Sequence, residues 1–281
     1  MSFSVSNPID NLEARIEEVS SSVAGCDDSG NMFIGDSTGG LSTTSVDNTI
    51  IGCDSAVVLT TASNNVGLGH EVLAGVVAGD NNVAVGYKAS GVESSECVAV
   101  GAMALNVNEA DGNVGVGYHS LMLNTTGIDN VALGSNSMMS NTTGVENTAL
   151  GHNTMSVMDG GNANIAVGTG ALNILTTGSN NTVVGKLAAA NLTTGSDNVV
   201  IGHEAISSTT GASNVVIGQG ASAVSFDACI VIGRNATALA DNTLTIGNIS
   251  LVAGSATTVA ITLPINIDGV NYFIALSTTS T

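Results

Sequence analysis

The sequence predicts an all-β solenoid of about fourteen rungs, and three observations carry that expectation. A phrase of Asn, aliphatic, small, aliphatic and Gly recurs, with clear copies at Asn82–Gly86, Asn130–Gly134, Asn164–Gly168 and Asn198–Gly202. The closing glycines, from Gly35 and Gly52 through to Gly233 and Gly247, follow one another at intervals of 14 to 17 residues. Units this short cannot be domains, so each must bury its apolar side against the next. The third observation is composition: hydrophobic residues make up 43% of the chain but aromatics only 2%. Small and branched side chains suit thin, closely stacked layers.

Within one rung the residue before each glycine is aliphatic, as in Val85, Leu133, Val167 and Ile201, and the residue two places earlier is mostly branched, as in Val83, Val131, Ile165 and Val199. Side chains alternate across a strand, so these two share one face and the small residue between them faces the other way. Glycine then supplies the left-handed backbone for a turn. Small residues such as Ala104 and Ala171, followed by Leu105 and Leu172, read as a second short strand. The return bend often spells Thr-Thr-Gly, as at Thr125–Gly127 and Thr142–Gly144. The Asn that opens each phrase can close an Asx-type turn and bond the same amide one rung away, which forms a ladder. Asn or Cys holds that slot in every rung but the last. The expected structural ladder is thus Asn82, Gly86, Asn130, Gly134, Asn164, Gly168, Asn198 and Gly202.

Rungs spaced ~4.8 Å apart give a rod roughly 65 Å long. So thin a coil leaves an apolar side over, and association of several copies of the chain is expected to cover it.

The ends differ from the middle. Asn7-Pro8 reads as a helix cap. Ile9, Leu12, Ile16, Val19 and Val23 then repeat at coiled-coil spacing. A lone amphipathic helix packed on the roll is the alternative, and these seam residues do not specify three strands over two. Thr257–Leu263 and Val270–Leu276 read as a hairpin about Asp268-Gly269 that caps the open strand edge. The expected division is 1–25 coiled coil and anchor, 26–253 repeat domain, 254–281 hairpin cap.

Charge and cysteine usage narrow the function. With a formal charge of -19 and only Arg15, Lys88, Lys186 and Arg234 as fixed cations, the chain lacks a footprint for nucleic acid. No apolar run is long enough to span a membrane as a helix, and Met1–Asp10 does not read as a signal peptide. Cys26, Cys53, Cys97 and Cys229 show no paired spacing, and free thiols are expected rather than disulfides or a metal site.

The phrases Asn82–Ala89 and Ala240–Asn248 resemble the head repeats of trimeric autotransporter adhesins, over residues 31 to about 250. The resemblance implies a left-handed parallel β-roll, three chains about one axis and an adjoining coiled-coil stalk. The longer rung with Thr-Thr-Gly looks more like a variant in fibre and tail proteins of phages and large viruses. Without the autotransporter's export segment and membrane barrel, the similarity favours a virion fibre over a bacterial adhesin.

Enzymatic activity is not expected. His70, His152 and His203 each follow a phrase glycine, but Tyr87, Tyr118, Lys186, Gln219 and Arg234 fill the same slot elsewhere. A position that accepts such variety reads as an exposed turn. No nucleophile–base pair or metal spacing stands out, and no catalytic residue, cofactor or metal is assigned. Ice binding would need a regular Thr row, whereas Thr clusters in the bends. Sequons such as Asn124-Thr125-Thr126 and Asn191-Leu192-Thr193 are expected by chance in such turns. The expectation is a homotrimeric fibre on a virion surface, made in the host cytoplasm. Its partners would be itself, the virion base through the N-terminal segment, and a host receptor or glycan. A cellular surface adhesin is the alternative.

Overall fold

A computed structural model describes residues 26–40, 44–91, 93–206, 210–247, 261–267 and 270–276. Fourteen strands of three residues, from β1 (Met32–Ile34) to β14 (Leu244–Ile246), form one sheet whose strand order is the sequence order. Every pairing is parallel and in register; Val131, for example, lies opposite Val114 on one side and Thr148 on the other. Sequence dictates this register. A slip by one residue would turn every small central side chain outward and every large flanking one into the coil.

Those central residues form one wall of the core. Ala84, Ala99, Ala132, Ala149, Ala166, Val183, Val200 and Val216 are fully buried. The facing wall supplies bulk through Leu59, Leu73, Leu105, Leu121, Met138, Met155 and Leu172, also fully buried. Each such side chain contributes roughly 1.5–3 kcal/mol of transfer free energy.

The facing wall is not the second strand expected from sequence: among the described residues each coil holds one strand, and the rest is turn. Neighbouring residues explain the difference. Ala104 and Leu105 are both buried, as are Ser120 with Leu121 and Ala171 with Leu172. A strand cannot bury two adjacent side chains on one face. The chain does so with left-handed residues two and four places after the glycine, such as Met103 (φ 58) with Leu105 (φ 51), and His119 (φ 56) with Leu121 (φ 49). That conformation costs an L-residue roughly 1–2 kcal/mol. Bonds between coils offset it: the His119 amide donates to Ala102 O at 3.1 Å and the Leu121 amide to Ser137 O at 3.0 Å.

Two glycine rows serve different needs. Gly134 has φ 139, and a Cβ there would collide with the carbonyl oxygen of Gly151 in the next coil. Gly127, in a Thr-Thr-Gly bend, has no left-handed φ, but its Cβ would strike the Gly144 carbonyl. Conformation and space fix the first; space alone fixes the second.

The coils end as one unit at Gly247, and a second unit follows. In that unit β15 (Ile261–Ile267) and β16 (Val270–Leu276) pair antiparallel, with Ile261 opposite Leu276 and Ile267 opposite Val270. The turn expected at Asp268-Gly269 lies outside the described residues, as does the expected coiled coil of Ile9, Leu12, Ile16, Val19 and Val23. Among the described residues no helix is long and apolar enough to cross a membrane.

Candidate functional site

Three features of the solenoid could carry function: a buried amide ladder, an open apolar face and a turn surface. The ladder comes first because it sets the other two in line. Asn82, Asn130, Asn164 and Asn198 are fully buried in one row. Asn164 shows the pattern. Its backbone amide and its Nδ2 both donate to Asn147 Oδ1, at 2.9 and 3.0 Å. The second Nδ2 hydrogen goes to Gly178 O at 2.9 Å. Its own Oδ1 accepts from Asn181 N and Nδ2 at 3.0 and 2.9 Å. Every polar side-chain atom is used, which buried amides require. Asn130 and Asn198 repeat this with Asn113 and Asn181. Gly86, Gly134, Gly168 and Gly202 stack in a parallel row, each closely covered by the glycine of the next coil.

Sequence reasoning missed two parts of this network. Asn108, Asn124 and Asn141 form a second buried amide row: Asn124 Nδ2 donates to Asn108 Oδ1 at 2.5 Å, and Asn141 Nδ2 to Asn124 Oδ1 at 2.8 Å. Leu59, Leu175 and Leu192 hold the same place in other coils, so no repeat pattern announces it. Burial of Asn124 also removes the first sequon from the surface, whereas Asn191 is exposed. Asp27 is the second part. Among the described residues no ladder Asn precedes the first coil, and the Asp27 carboxylate stands in. Asn31 N donates to its Oδ1 at 2.8 Å and Asn31 Nδ2 to its Oδ2 at 3.2 Å. These bonds hold the Asp27 carboxyl below its ordinary pKa, the backbone bond from Asn31 contributing most.

The open face is the outer side of the sheet. Val131 is 39% exposed and Leu133 45%. The same two rows recur through Val66 with Leu68, Ile165, Ile201, and Ile230 with Ile232. Mostly aliphatic side chains therefore line the outside of the coils in two columns, one of them interrupted by Thr49, Thr148 and Thr182.

The turn surface follows the phrase glycines. His70, Tyr87, Tyr118 and His152 are on it, partly or fully exposed. Among the described residues no group of three or more His, Cys, Asp or Glu is placed to hold a metal ion. All four cysteines are free; Cys26 and Cys53 are exposed, Cys97 and Cys229 buried in the Asn slot. No protein-family model, curated protein or solved structure matches the chain.

Proposed function

We propose that this chain is the rigid shaft of a homotrimeric fibre on a phage or large-virus particle, serving attachment or surface decoration. The observation that carries the reading is the open apolar face. Two columns of mostly aliphatic side chains follow the coils at one rung's spacing, interrupted in one column by Thr49, Thr148 and Thr182, and many are exposed, as at Val131 (39%) and Leu133 (45%). Apolar patches of that extent mark association. A partner that fills them rung for rung must carry the same repeat, and a further copy of this chain does. Three copies about one axis follow the resemblance to adhesin head repeats, as does a left-handed roll. The Thr-Thr-Gly rung supports a viral setting. Residues 1–25 would supply the coiled coil that docks on the particle, and the C-terminal strand pair would cap the rod. Multivalent display would then raise avidity without tight single sites.

Light scattering of the purified chain tests this directly. The expected mass is three times the 27.7 kDa chain, and a well-behaved monomer overturns it. Replacing Val131 and Leu133 together with Asp should abolish assembly, because two carboxylates would be buried without partners. Soluble trimers of that variant contradict the packing. Deleting residues 1–25 should leave the rod intact but prevent its incorporation into particles. Immunogold labelling of purified particles separates this reading from a cellular adhesin of the same build.

A further inference from the structure

The coil between Gly86 and Gly101 departs from the repeat in several ways at once. It is 15 residues long where 17 is common. Ser90 stands in the row that Leu105, Leu121 and Met138 fill elsewhere, and its buried hydroxyl has no hydrogen-bond partner. Cys97 replaces the ladder Asn. The coil from Gly218 to Gly233 shares the 15-residue length, a serine in that row (Ser222) and a cysteine in the Asn slot (Cys229), so what sets the earlier coil apart is its outer surface and that of its neighbours.

The position after the glycine carries His70, Tyr87, Ala102 and Tyr118 in four successive coils. The His70 and Tyr87 rings stack with centroids 5.8 Å apart and planes within 19°. The Tyr118 ring stacks on His119 at 3.7 Å and 24°. Tyr87 and Tyr118 remain 43% and 53% exposed. They are two coils apart, about 10 Å at ~4.8 Å per rung, with only the methyl group of Ala102 in the same column between them. Polar groups gather beside Tyr87 and pair with one another. Lys88 Nζ lies 3.1 Å from Glu71 and 5.3 Å from the Tyr87 centroid. His70 meets Asp54 at 3.4 Å and Glu71 at 3.3 Å. Side chains fixed before binding lose less entropy on binding.

We infer that this tyrosine-flanked strip on the Gly69, Gly86, Gly101 and Gly117 turns binds a neutral, extended glycan chain. Tyrosine offers an apolar ring to the C–H face of a pyranose and a hydroxyl to its rim. The carboxylates, imidazole and ammonium match the paired hydroxyls of successive sugars. Two exposed tyrosines spaced along successive coils suit a linear chain of rings better than a compact ligand. The net charge of -19 disfavours sialylated or sulfated chains. A strand-like peptide is less suited, because the backbone here is already bonded between coils, as with Met103 N to Tyr87 O at 2.8 Å. The inference deepens the attachment reading and rests on it, but not on the number of copies.

The experiment titrates the full-length chain with cellohexaose, maltohexaose, chitohexaose and an oligosialic acid, following tyrosine emission and calorimetric heat. With no Trp and three Tyr in the sequence, two in the strip and the third, Tyr272, in β16, emission compared with a Tyr272→Phe variant reports on the strip. At least one neutral hexasaccharide should bind. Tyr87→Ala and Tyr118→Ala should each weaken it about tenfold, while Tyr87→Phe, which keeps the ring, retains most of the affinity. His152→Ala, at the same position in a coil without tyrosine, should change nothing. Absence of neutral-sugar binding, binding indifferent to both alanine substitutions, or binding of the anionic oligomer alone overturns the inference. Light scattering on the same samples keeps the two readings apart. A trimer that binds no sugar removes only the glycan site, and a monomer that binds removes only the trimer.

Discussion

Between Asn113 and Asn214 the amide ladder is continuous, and each Asn donates to the one before it. Around Cys97 it is broken. The Cys97 amide still reaches Asn82 Oδ1 at 3.0 Å, but the thiol offers no oxygen to the next coil, and Asn113 Nδ2 turns to Asn108 Oδ1 at 3.1 Å. The contrast shows that acceptor supply decides what a slot can hold. In the continuous stretch a bend carbonyl serves one or two side-chain amides, as Gly178 O serves Asn164 and Gly144 O serves Asn130 and Asn141. At the break Ala110 O already receives Asn108 Nδ2 at 2.6 Å, Asn113 Nδ2 at 3.0 Å and the Cys97 thiol at 3.4 Å. Cys229 repeats the arrangement. Its thiol lies 3.2 Å from Ala240 O, and its coil, like that of Cys97, follows a 15-residue glycine spacing. A shortened bend and a single-donor side chain go together.

The sharpest way to break this comparison is to remove an amide from the continuous stretch. Asn164→Ala would strand the Asn181 amide, its Nδ2 and Gly178 O in a buried setting. The expected loss is roughly 2–5 kcal/mol, since each orphaned group costs about 1–3 kcal/mol. Cys229→Ala, which removes one weak S–H donor, should cost about 1 kcal/mol. Urea midpoints and hydrogen exchange at Asn181 read both. Equal losses would show that the slot needs only a small side chain.

Restoring the consensus at the break gives a smaller and less intuitive effect. Cys97→Asn should destabilise the chain by about 1–2 kcal/mol, because its extra Nδ2 hydrogen finds Ala110 O saturated. Adding Asn108→Leu, the side chain that Leu175 and Leu192 represent elsewhere, frees that carbonyl. The double-mutant cycle should therefore show favourable coupling of order 1 kcal/mol. A stabilising single substitution would refute the acceptor-supply account. The thiols offer a milder test. Burial pushes the Cys97 thiol up, away from the reactive thiolate. An aromatic disulfide reagent should label Cys26 and Cys53 in the native chain and reach Cys97 and Cys229 only on unfolding. Rapid native labelling at Cys97 would mean that the broken coil opens.

The same contrast explains what the sequence made legible. Asn130, Gly134 and Ala132 recur at a fixed offset, so ladder, turn and core wall could be read from their period. Asn108 and Asn124 fall in the stretch whose length varies, where Leu and Met are equally accommodated, and no period marks them. The left-handed turns were hidden for another reason. Lys88, Leu105, His119 and Leu121 hold φ near 50°, although none is a residue type that announces it; bonds to neighbouring coils impose the conformation. The expected second strand failed at that point. Small-then-large spacing looks the same whether adjacent side chains alternate or both turn inward. Variety at the position after the glycine reads as an exposed turn, and Tyr87 and Tyr118 are exposed there; the period alone does not say which coils set them side by side. Asp27 occurs once, outside the repeat, and had no pattern to reveal it.

Asp27 also supplies the smallest effect, at the end of the ladder. Its carboxylate does for Asn31 what each Asn does for the next, but with a titrating group. In the folded chain its pKa lies below the ordinary 3.8, lowered chiefly by the Asn31 backbone bond. The unfolded chain therefore binds this proton more readily, and stability gained here rises with pH. It is fully present above pH 3.8 and is lost as pH falls through the lowered folded value. The effect is local, because Asp27 is at the surface and only the first coil depends on it. Hydrogen exchange at Asn31 should accelerate below that window relative to Asn164, beyond the intrinsic pH dependence of exchange. Asp27→Asn keeps an oxygen for the Asn31 amide without a titrating proton, and should abolish the difference in acid response between the two sites. If the first coil of that variant still loosens selectively in acid, some other group controls the end of the stack.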